Sequence, residues 1–150
     1  MGRVIAFFAA VAVVGGCGTD RPRGGVEMVA ADAAGEVPAI VKRELERAAR
    51  DRKQLLVYVG AKWCEPCRRF HQAAAEHKLD RAFPSLRLLE FDDDRDGARL
   101  AMAGYSGHYI PLFARPGADG RGTGRQIEGS VKGDGAVDQI VPRLRTLLTP

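Results

Sequence analysis

The chain has 150 residues, of which 45% are hydrophobic and 28% are charged, and its formal net charge is +4. These values fit one globular domain with a short additional segment. The positive charges are spread along the chain without a long basic run, which argues against nucleic-acid binding. The three cysteines are too few for a disulfide-stapled scaffold, so each needs its own explanation.

The N-terminus has the pattern of a secretory signal. Arg3 supplies a positive charge, residues 4–14 are uninterrupted apolar sequence, and Gly15-Gly16 precede Cys17. The apolar run is too short for a stable membrane-spanning helix, which needs about 20 residues. We therefore predict that residues 1–16 form a signal peptide.

Val14-Gly15-Gly16-Cys17 resembles a bacterial lipobox, in which the signal is cut just before a cysteine that then receives lipid. The resemblance implies that Cys17 is lipidated and anchors the protein to a membrane facing the periplasm. Ordinary secretion and retention of the uncleaved segment as an anchor are the alternatives. Residues 17–36 have no helix or strand period and are predicted to form the lipidated N-terminus and a flexible tether. Residues 26–30 within this segment could form a short edge strand.

The first half of the following domain shows alternating helix and strand patterns. Apolar residues recur at helical spacing from Val37, with Pro38 tolerated in the first turn. Residues 55–59 form a continuous apolar run, as expected for a central strand covered on both faces. A helical pattern then extends to about Leu79, and residues 86–91 are predicted to form the next strand.

The second half continues with a helix that includes residues 98–103, capped by Asp93 or Asp94. Strands at residues 112–114 and 125–129 flank a glycine-rich loop, and a final helix contains Pro142, where we expect a kink. Strands separated by helices pair in parallel, and the closing hairpin is antiparallel. The fold class is therefore α/β, with a central mixed sheet of about four strands flanked by helices.

The motif Trp63-Cys64-Glu65-Pro66-Cys67 lies between the apolar strand and the helix that follows it. Two cysteines at this spacing and position are typical of a redox site. The N-terminus of the helix favours a thiolate at the first cysteine, and the second lies one turn later, within reach of a disulfide. The motif resembles the active site of the thioredoxin superfamily. The chain looks closest to the thioredoxin-like domain of bacterial membrane-tethered envelope lipoproteins.

The resemblance implies a thioredoxin-like domain over residues 37–150 and a role for each motif residue. Cys64 would be the exposed cysteine that attacks a partner disulfide, and Cys67 would be the buried cysteine that resolves the mixed disulfide. Pro66 would stiffen the loop between them, and Trp63 would cover one side of the sulfur. His71, four residues after Cys67, is interpreted as a residue of the helix surface, as is His77.

A second matching feature is Ile110-Pro111, directly before a predicted strand. Thioredoxin-like proteins carry a cis proline that faces the dithiol, so the resemblance implies a cis bond here and an Ile110 backbone that positions the partner peptide. Three positions depart from the family pattern: Leu112 follows the proline where threonine is frequent, the loop between the cysteines is Glu-Pro rather than Gly-Pro, and the third is Tyr58. Tyr58 occupies the site, six residues before the first cysteine, where thioredoxins have an acidic residue, which leaves the direction of exchange open.

The function implied by the resemblance is that of a thiol–disulfide oxidoreductase acting on envelope proteins. The dithiol itself carries the electrons, so no dissociable cofactor is expected. The expected partners are protein thiols and disulfides, an upstream redox protein, and the membrane through lipid on Cys17. No nucleic-acid partner is expected, and the chain is expected to be monomeric.

Two alternatives stay open: a non-enzymatic binding module with a structural Cys64–Cys67 disulfide, and a metal chaperone. No second cysteine pair is present to complete a zinc site.

Overall fold

The computed structural model of the protein describes residues 24–150, so the predictions for the signal peptide and for Cys17 lie outside the described residues. Within this range no helix is both long and apolar enough to cross a membrane. The elements in chain order are β1 (Gly25–Ala30), α1 (Val37–Arg50), β2 (Gln54–Gly60), α2 (Glu65–Ala75), β3 (Ser85–Asp92), α3 (Asp93–Met102), β4 (Leu112–Pro116), β5 (Gly122–Glu128) and α4 (Gly135–Leu148).

The strands form one mixed sheet in the order β1-β3-β2-β4-β5. Strands β1, β3 and β2 are parallel, whereas β4 is antiparallel to both β2 and β5. The α/β class with a closing antiparallel hairpin is thus confirmed. The sheet has five strands rather than about four, because β1 pairs with β3 from Gly25 opposite Ser85 to Ala30 opposite Glu90. Residues 25–30 of the segment predicted as a tether therefore belong to the sheet, which confirms the possible edge strand at residues 26–30.

The core has two halves, one on each face of the sheet. Successive side chains of a strand point to opposite faces, so Leu56 and Tyr58 of β2 join one cluster while Val57 joins the other. The first cluster contains both cysteines of the motif and the buried sides of α2 and α4. The second lies against α1 and α3. The continuous apolar run in β2 follows from this double coverage.

The acidic run after β3 starts and stabilises α3. Asp92, rather than the predicted Asp93 or Asp94, caps the helix, and its side chain accepts a hydrogen bond from the backbone N–H of Arg95 at 3.1 Å. Asp96 is fully buried and pairs with Arg95 at 2.7 Å and with Arg99 at 2.8 Å. Burial alone would raise the pKa of Asp96, but the hydrogen bonds that it accepts lower it.

The last helix, α4, continues through Pro142 to Leu148. Its buried residues Ile140, Leu144 and Leu147 pack into the core half that contains the dithiol. The helix therefore forms part of the support behind the motif, on the same side of the sheet as α2.

Candidate functional site

Cys64 and Cys67 form a disulfide at the N-terminus of α2, with their sulfur atoms 2.07 Å apart and their Cα atoms 5.3 Å apart. Cys64 is the N-cap residue, and its sulfur accepts a hydrogen bond from the backbone N–H of Cys67 at 3.3 Å. The helix N-terminus thus directs an N–H group at this sulfur, which favours a negative charge there once the disulfide is reduced. Both cysteines are buried in this oxidised form, at 4% and 2% exposure, so the exposure expected for Cys64 is not seen.

The residues between the cysteines are tied to the segment before α4. Pro66 occupies the first turn of α2 and is buried. The carboxylate of Glu65 accepts a hydrogen bond from the backbone N–H of Gly133 at 3.1 Å and lies 3.6 Å from the guanidinium of Arg69. Arg69 also pairs with Asp134 at 2.6 Å. Glu65 therefore has structural partners, although it places a negative charge beside Cys64.

Trp63 lies at the protein surface, with 64% of the residue exposed. Its indole N–H donates to the carboxylate of Asp94, at 3.0 Å from Oδ2. This contact links the residue before the dithiol to the first turn of α3. The sequence indicated a role for Trp63 at the sulfur but did not indicate Asp94 as its partner.

The bond between Ile110 and Pro111 is cis, as the resemblance implied. Ile110 packs against the core half that contains both cysteines, and the Pro111 carbonyl accepts a hydrogen bond from the N–H of Gly129 at 2.9 Å. The preceding loop is held by Glu128, whose carboxylate accepts from the backbone N–H of His108 at 2.6 Å. The loop before β4 is therefore attached to the end of β5.

A cavity of about 410 Å³ lies behind Cys67. Tyr58 lines it, and its buried hydroxyl has no hydrogen-bond partner among the described residues. His71 and Glu90 line the same cavity and contact each other, with Nε2 of His71 at 2.6 Å from Oε1 of Glu90. The interpretation of His71 as a plain surface residue is therefore incomplete, since one side of its ring faces this cavity.

The fold explains why these side chains meet. Glu90 is the residue of β3 that pairs with Tyr58 of β2, so the two side chains lie next to each other on one face of the sheet. His71 lies one helical turn after Cys67 and therefore on the same side of α2. Its ring centroid is 5.6 Å from that of Tyr58. Burial, together with the negative charge of Glu90, raises the pKa of Tyr58 far above its usual value.

His77, the other histidine of this region, lies away from the cavity. It follows α2, is exposed, and contacts the carboxylate of Asp80 at 2.9 Å. Across residues 24–150, no group of three or more His, Cys, Asp or Glu side chains is placed to hold a metal ion.

Several solved structures are similar to this chain at low sequence identity. Thioredoxin O1 from Arabidopsis thaliana is 18% identical, with 83% of this chain and 99% of that chain covered and a TM-score of 0.46. A thioredoxin h from poplar is 19% identical, with 81% and 97% covered and a TM-score of 0.45. A mutant thioredoxin from Halobacterium salinarum is 21% identical, with 89% and 100% covered and a TM-score of 0.44. A search among curated proteins found no significant match.

The comparison with protein-family models identifies the family of the chain from its sequence. Residues 38–115 match the family described as thioredoxin-like, which is just over half of the chain. The matched range contains the disulfide at the start of α2, the strands on either side of it and the cis Pro111. The family match therefore covers the cysteine motif that the sequence predicted at this helix N-terminus. The chain belongs to the thioredoxin-like family.

Proposed function

We propose that this protein is a thiol–disulfide oxidoreductase that exchanges disulfides with envelope proteins through Cys64 and Cys67. The observation that carries the proposal is the disulfide at the N-terminus of α2, within a chain of the thioredoxin-like family. After reduction, the N–H group and the helix dipole that face Cys64 stabilise its thiolate, which is the nucleophile of disulfide exchange.

The exchange takes two steps, each of which breaks one S–S bond and forms another. The Cys64 thiolate attacks a partner disulfide, forms a mixed disulfide and releases one partner sulfur as a thiolate. The Cys67 thiolate then attacks the sulfur of Cys64, restores the Cys64–Cys67 disulfide and releases the second partner sulfur. Two electrons pass to the partner, so an upstream redox protein must reduce the disulfide again. The reverse sequence would oxidise a partner dithiol.

The location of the reaction is part of the proposal and rests on the sequence of the N-terminus. Residues 1–16 have the pattern of a signal peptide, and Cys17 follows a lipobox-like stretch. Lipid on Cys17 would hold the domain at a membrane of the cell envelope. A Cys17→Ser variant of the full chain should then leave the membrane fraction, whereas unchanged membrane attachment would contradict lipid anchoring through Cys17.

The test of the chemistry is the reduction of insulin disulfides by the purified full-length protein in the presence of a dithiol reductant. The Cys64→Ser variant should lose the activity, because the attacking sulfur is gone. Cys17→Ser is the matched control, since it removes the third cysteine and should keep the activity. Full activity of Cys64→Ser would exclude the proposed mechanism.

A second candidate function is a binding module in which the disulfide is only structural. The burial of both cysteines favours it, because buried sulfur atoms are difficult for a partner to reach. Equilibration with glutathione mixtures distinguishes the two functions. A reduction potential below about −300 mV would support the structural disulfide, because such bonds resist exchange with cellular thiols. A higher potential, together with mixed disulfides trapped on a Cys67→Ala variant, would support the oxidoreductase.

A further inference from the structure

Cys67 needs a proton acceptor, and its surroundings restrict what that acceptor can be. The residue is only 2% exposed, so bulk water has little access to its sulfur. A thiol in apolar surroundings holds its proton more strongly than an exposed one. It must nevertheless lose that proton before it can attack the sulfur of Cys64. The acceptor therefore has to be reached through the protein, and the cavity behind Cys67 is the available route.

Tyr58 lines this cavity but cannot be the acceptor. Burial and the nearby charge of Glu90 raise the pKa of Tyr58, which keeps the hydroxyl protonated at neutral pH. The hydroxyl can still donate or accept a hydrogen bond within the cavity, because no described residue is hydrogen-bonded to it. The cavity, at about 410 Å³, has room for water molecules, each of which takes up roughly 30 Å³. Tyr58 is therefore suited to hold water in the cavity.

The other charged groups at the cavity are engaged elsewhere or carry the wrong charge. Arg95 pairs with Asp96 at 2.7 Å, and Asp92 caps α3. Arg68 donates to the backbone carbonyl of Lys62 at 3.1 Å. Lys62 and the two arginines are cations at neutral pH and do not accept protons. The contact between His71 and Glu90 is the remaining acid–base pair that faces Tyr58 and Cys67.

We propose that His71 and Glu90 form a proton-accepting pair that serves Cys67 across this cavity; the proposal rests on the proposed disulfide exchange. Glu90, as a carboxylate, accepts the Nε2–H of His71, which leaves Nδ1 of the neutral ring free to take a proton. Glu90 also stabilises the imidazolium that results. The side chain of His71 is 40% exposed, so the ring can pass the proton on to solvent.

The Cys67 thiol gives its proton, by way of cavity water, to the His71–Glu90 pair. The resulting thiolate attacks the sulfur of Cys64, the bond between Cys64 and the partner breaks, and the partner leaves as a thiolate. The pair then releases its proton, and the partner thiolate takes one from solvent. No electrons enter or leave the pair, so His71 and Glu90 affect only the rate of resolution.

The test separates the two exchange steps by stopped-flow absorbance with a chromogenic aromatic disulfide. Attack by Cys64 releases the first aromatic thiolate, and resolution by Cys67 releases the second. All proteins are full-length and carry Cys17→Ser, so that only the dithiol reacts. They are reduced with a dithiol reductant, which is removed before mixing, and a Cys67→Ser variant identifies the first phase. The variants are His71→Asn and Glu90→Gln. His77→Asn is the matched control, because His77 also contacts a carboxylate but does not line the cavity.

We expect both cavity variants to slow the second phase about tenfold or more near neutral pH, since general base catalysis contributes roughly 10²- to 10⁴-fold and solvent replaces part of it. The first phase should stay within about twofold, on the scale of a weak charge effect. The deficit should shrink as the pH rises, because a growing fraction of the thiol is then ionised before the step begins. The control should behave like the parent protein.

Two results would overturn the inference: an unchanged second phase in both cavity variants, or equal slowing of both phases at every pH, which indicates a structural role. Failure of the proposed function would look different. In that case the parent protein itself would release no aromatic thiolate in the first phase.

Discussion

Two buried tyrosines, Tyr58 and Tyr105, are expected to respond differently to the same substitution. Tyr105 is 2% exposed, and its hydroxyl donates to the carbonyl of Gly120 at 2.8 Å. Tyr58 is fully buried, and its hydroxyl has no partner among the described residues. Replacing either tyrosine with phenylalanine removes one oxygen and little else, so the difference between the two variants reports the hydrogen bond.

The expected magnitudes follow from these contacts. Tyr105→Phe loses a hydrogen bond worth about 1 kcal/mol and leaves the buried Gly120 carbonyl without this donor, so we expect the free energy of unfolding to fall by about 2 kcal/mol. For a domain of this length, that lowers Tm by about 8 °C. Tyr58→Phe removes a hydroxyl that only water can satisfy. Its free energy of unfolding should be unchanged or higher by up to about 1 kcal/mol.

The assay is urea unfolding of the oxidised proteins, followed by far-ultraviolet circular dichroism. The slopes against urea should be equal, so that shifts in the midpoint report stability alone. If Tyr58→Phe lost as much stability as Tyr105→Phe, its hydroxyl would have a strong partner in the fold. The cavity would then not be a water-accessible space around a hydroxyl that lacks a protein partner.

Three further predictions concern other parts of the domain. Gly122→Ala should destabilise the protein by about 3 kcal/mol or more in urea unfolding, because a Cβ there would overlap the carbonyl oxygen of Gly104. Asp96→Asn should cost about 3 kcal/mol near pH 7, since it breaks a buried charged pair. Burial raises the pKa of Asp96, but the hydrogen bonds that it accepts outweigh this effect and lower the pKa in the folded state. The stabilisation is therefore present above the pKa of the unfolded state, about 3.9, and is lost as the pH falls through the pKa of the folded state. The deficit of the variant should therefore shrink in unfolding curves measured at about pH 3. Glu65→Gln removes the negative charge beside Cys64, and alkylation of that thiol should become about threefold faster near pH 6. An unchanged rate would show that the charge of Glu65 does not act on Cys64.

Much of the fold could be predicted because its signals are local. The run of apolar residues in β2 reflects coverage of the sheet on both faces, and the helical spacing from Val37 reflects one buried side of α1. The dithiol was identified from its own spacing and its place between a strand and a helix. Pro111 was identified from its position before β4, and the cis bond confirms the expectation from the resemblance.

The features that the sequence missed or indicated only weakly depend on pairing between distant parts of the chain. Strand β1 has few fully buried residues, and its partner β3 lies about 60 residues later, so the sequence gives only a weak indication of the edge strand at residues 26–30. The contact between His71 and Glu90 joins residues 19 apart and depends on the register of β2 with β3. No local pattern around His71 predicts that register. The position of His71 one turn after Cys67 was the one available indication.

The direction of β1 has a consequence for how a lipid-anchored molecule would stand on its membrane. The chain enters the sheet at Gly25, beside Ser85, and β1 runs parallel to β2. The dithiol follows the opposite end of β2. A strand of this length covers about 20 Å, so the point of entry and the dithiol lie at opposite edges of the sheet.

Residues 18–24 separate Cys17 from the first strand, and a stretch of this length reaches roughly 25 Å when fully extended. With lipid on Cys17, the edge of the sheet at Gly25 would therefore stay near the bilayer, and the dithiol would point away from it. Such an orientation would present Cys64 to proteins that approach from the interior of the compartment, and it would disfavour partners whose reactive cysteines lie within the same bilayer.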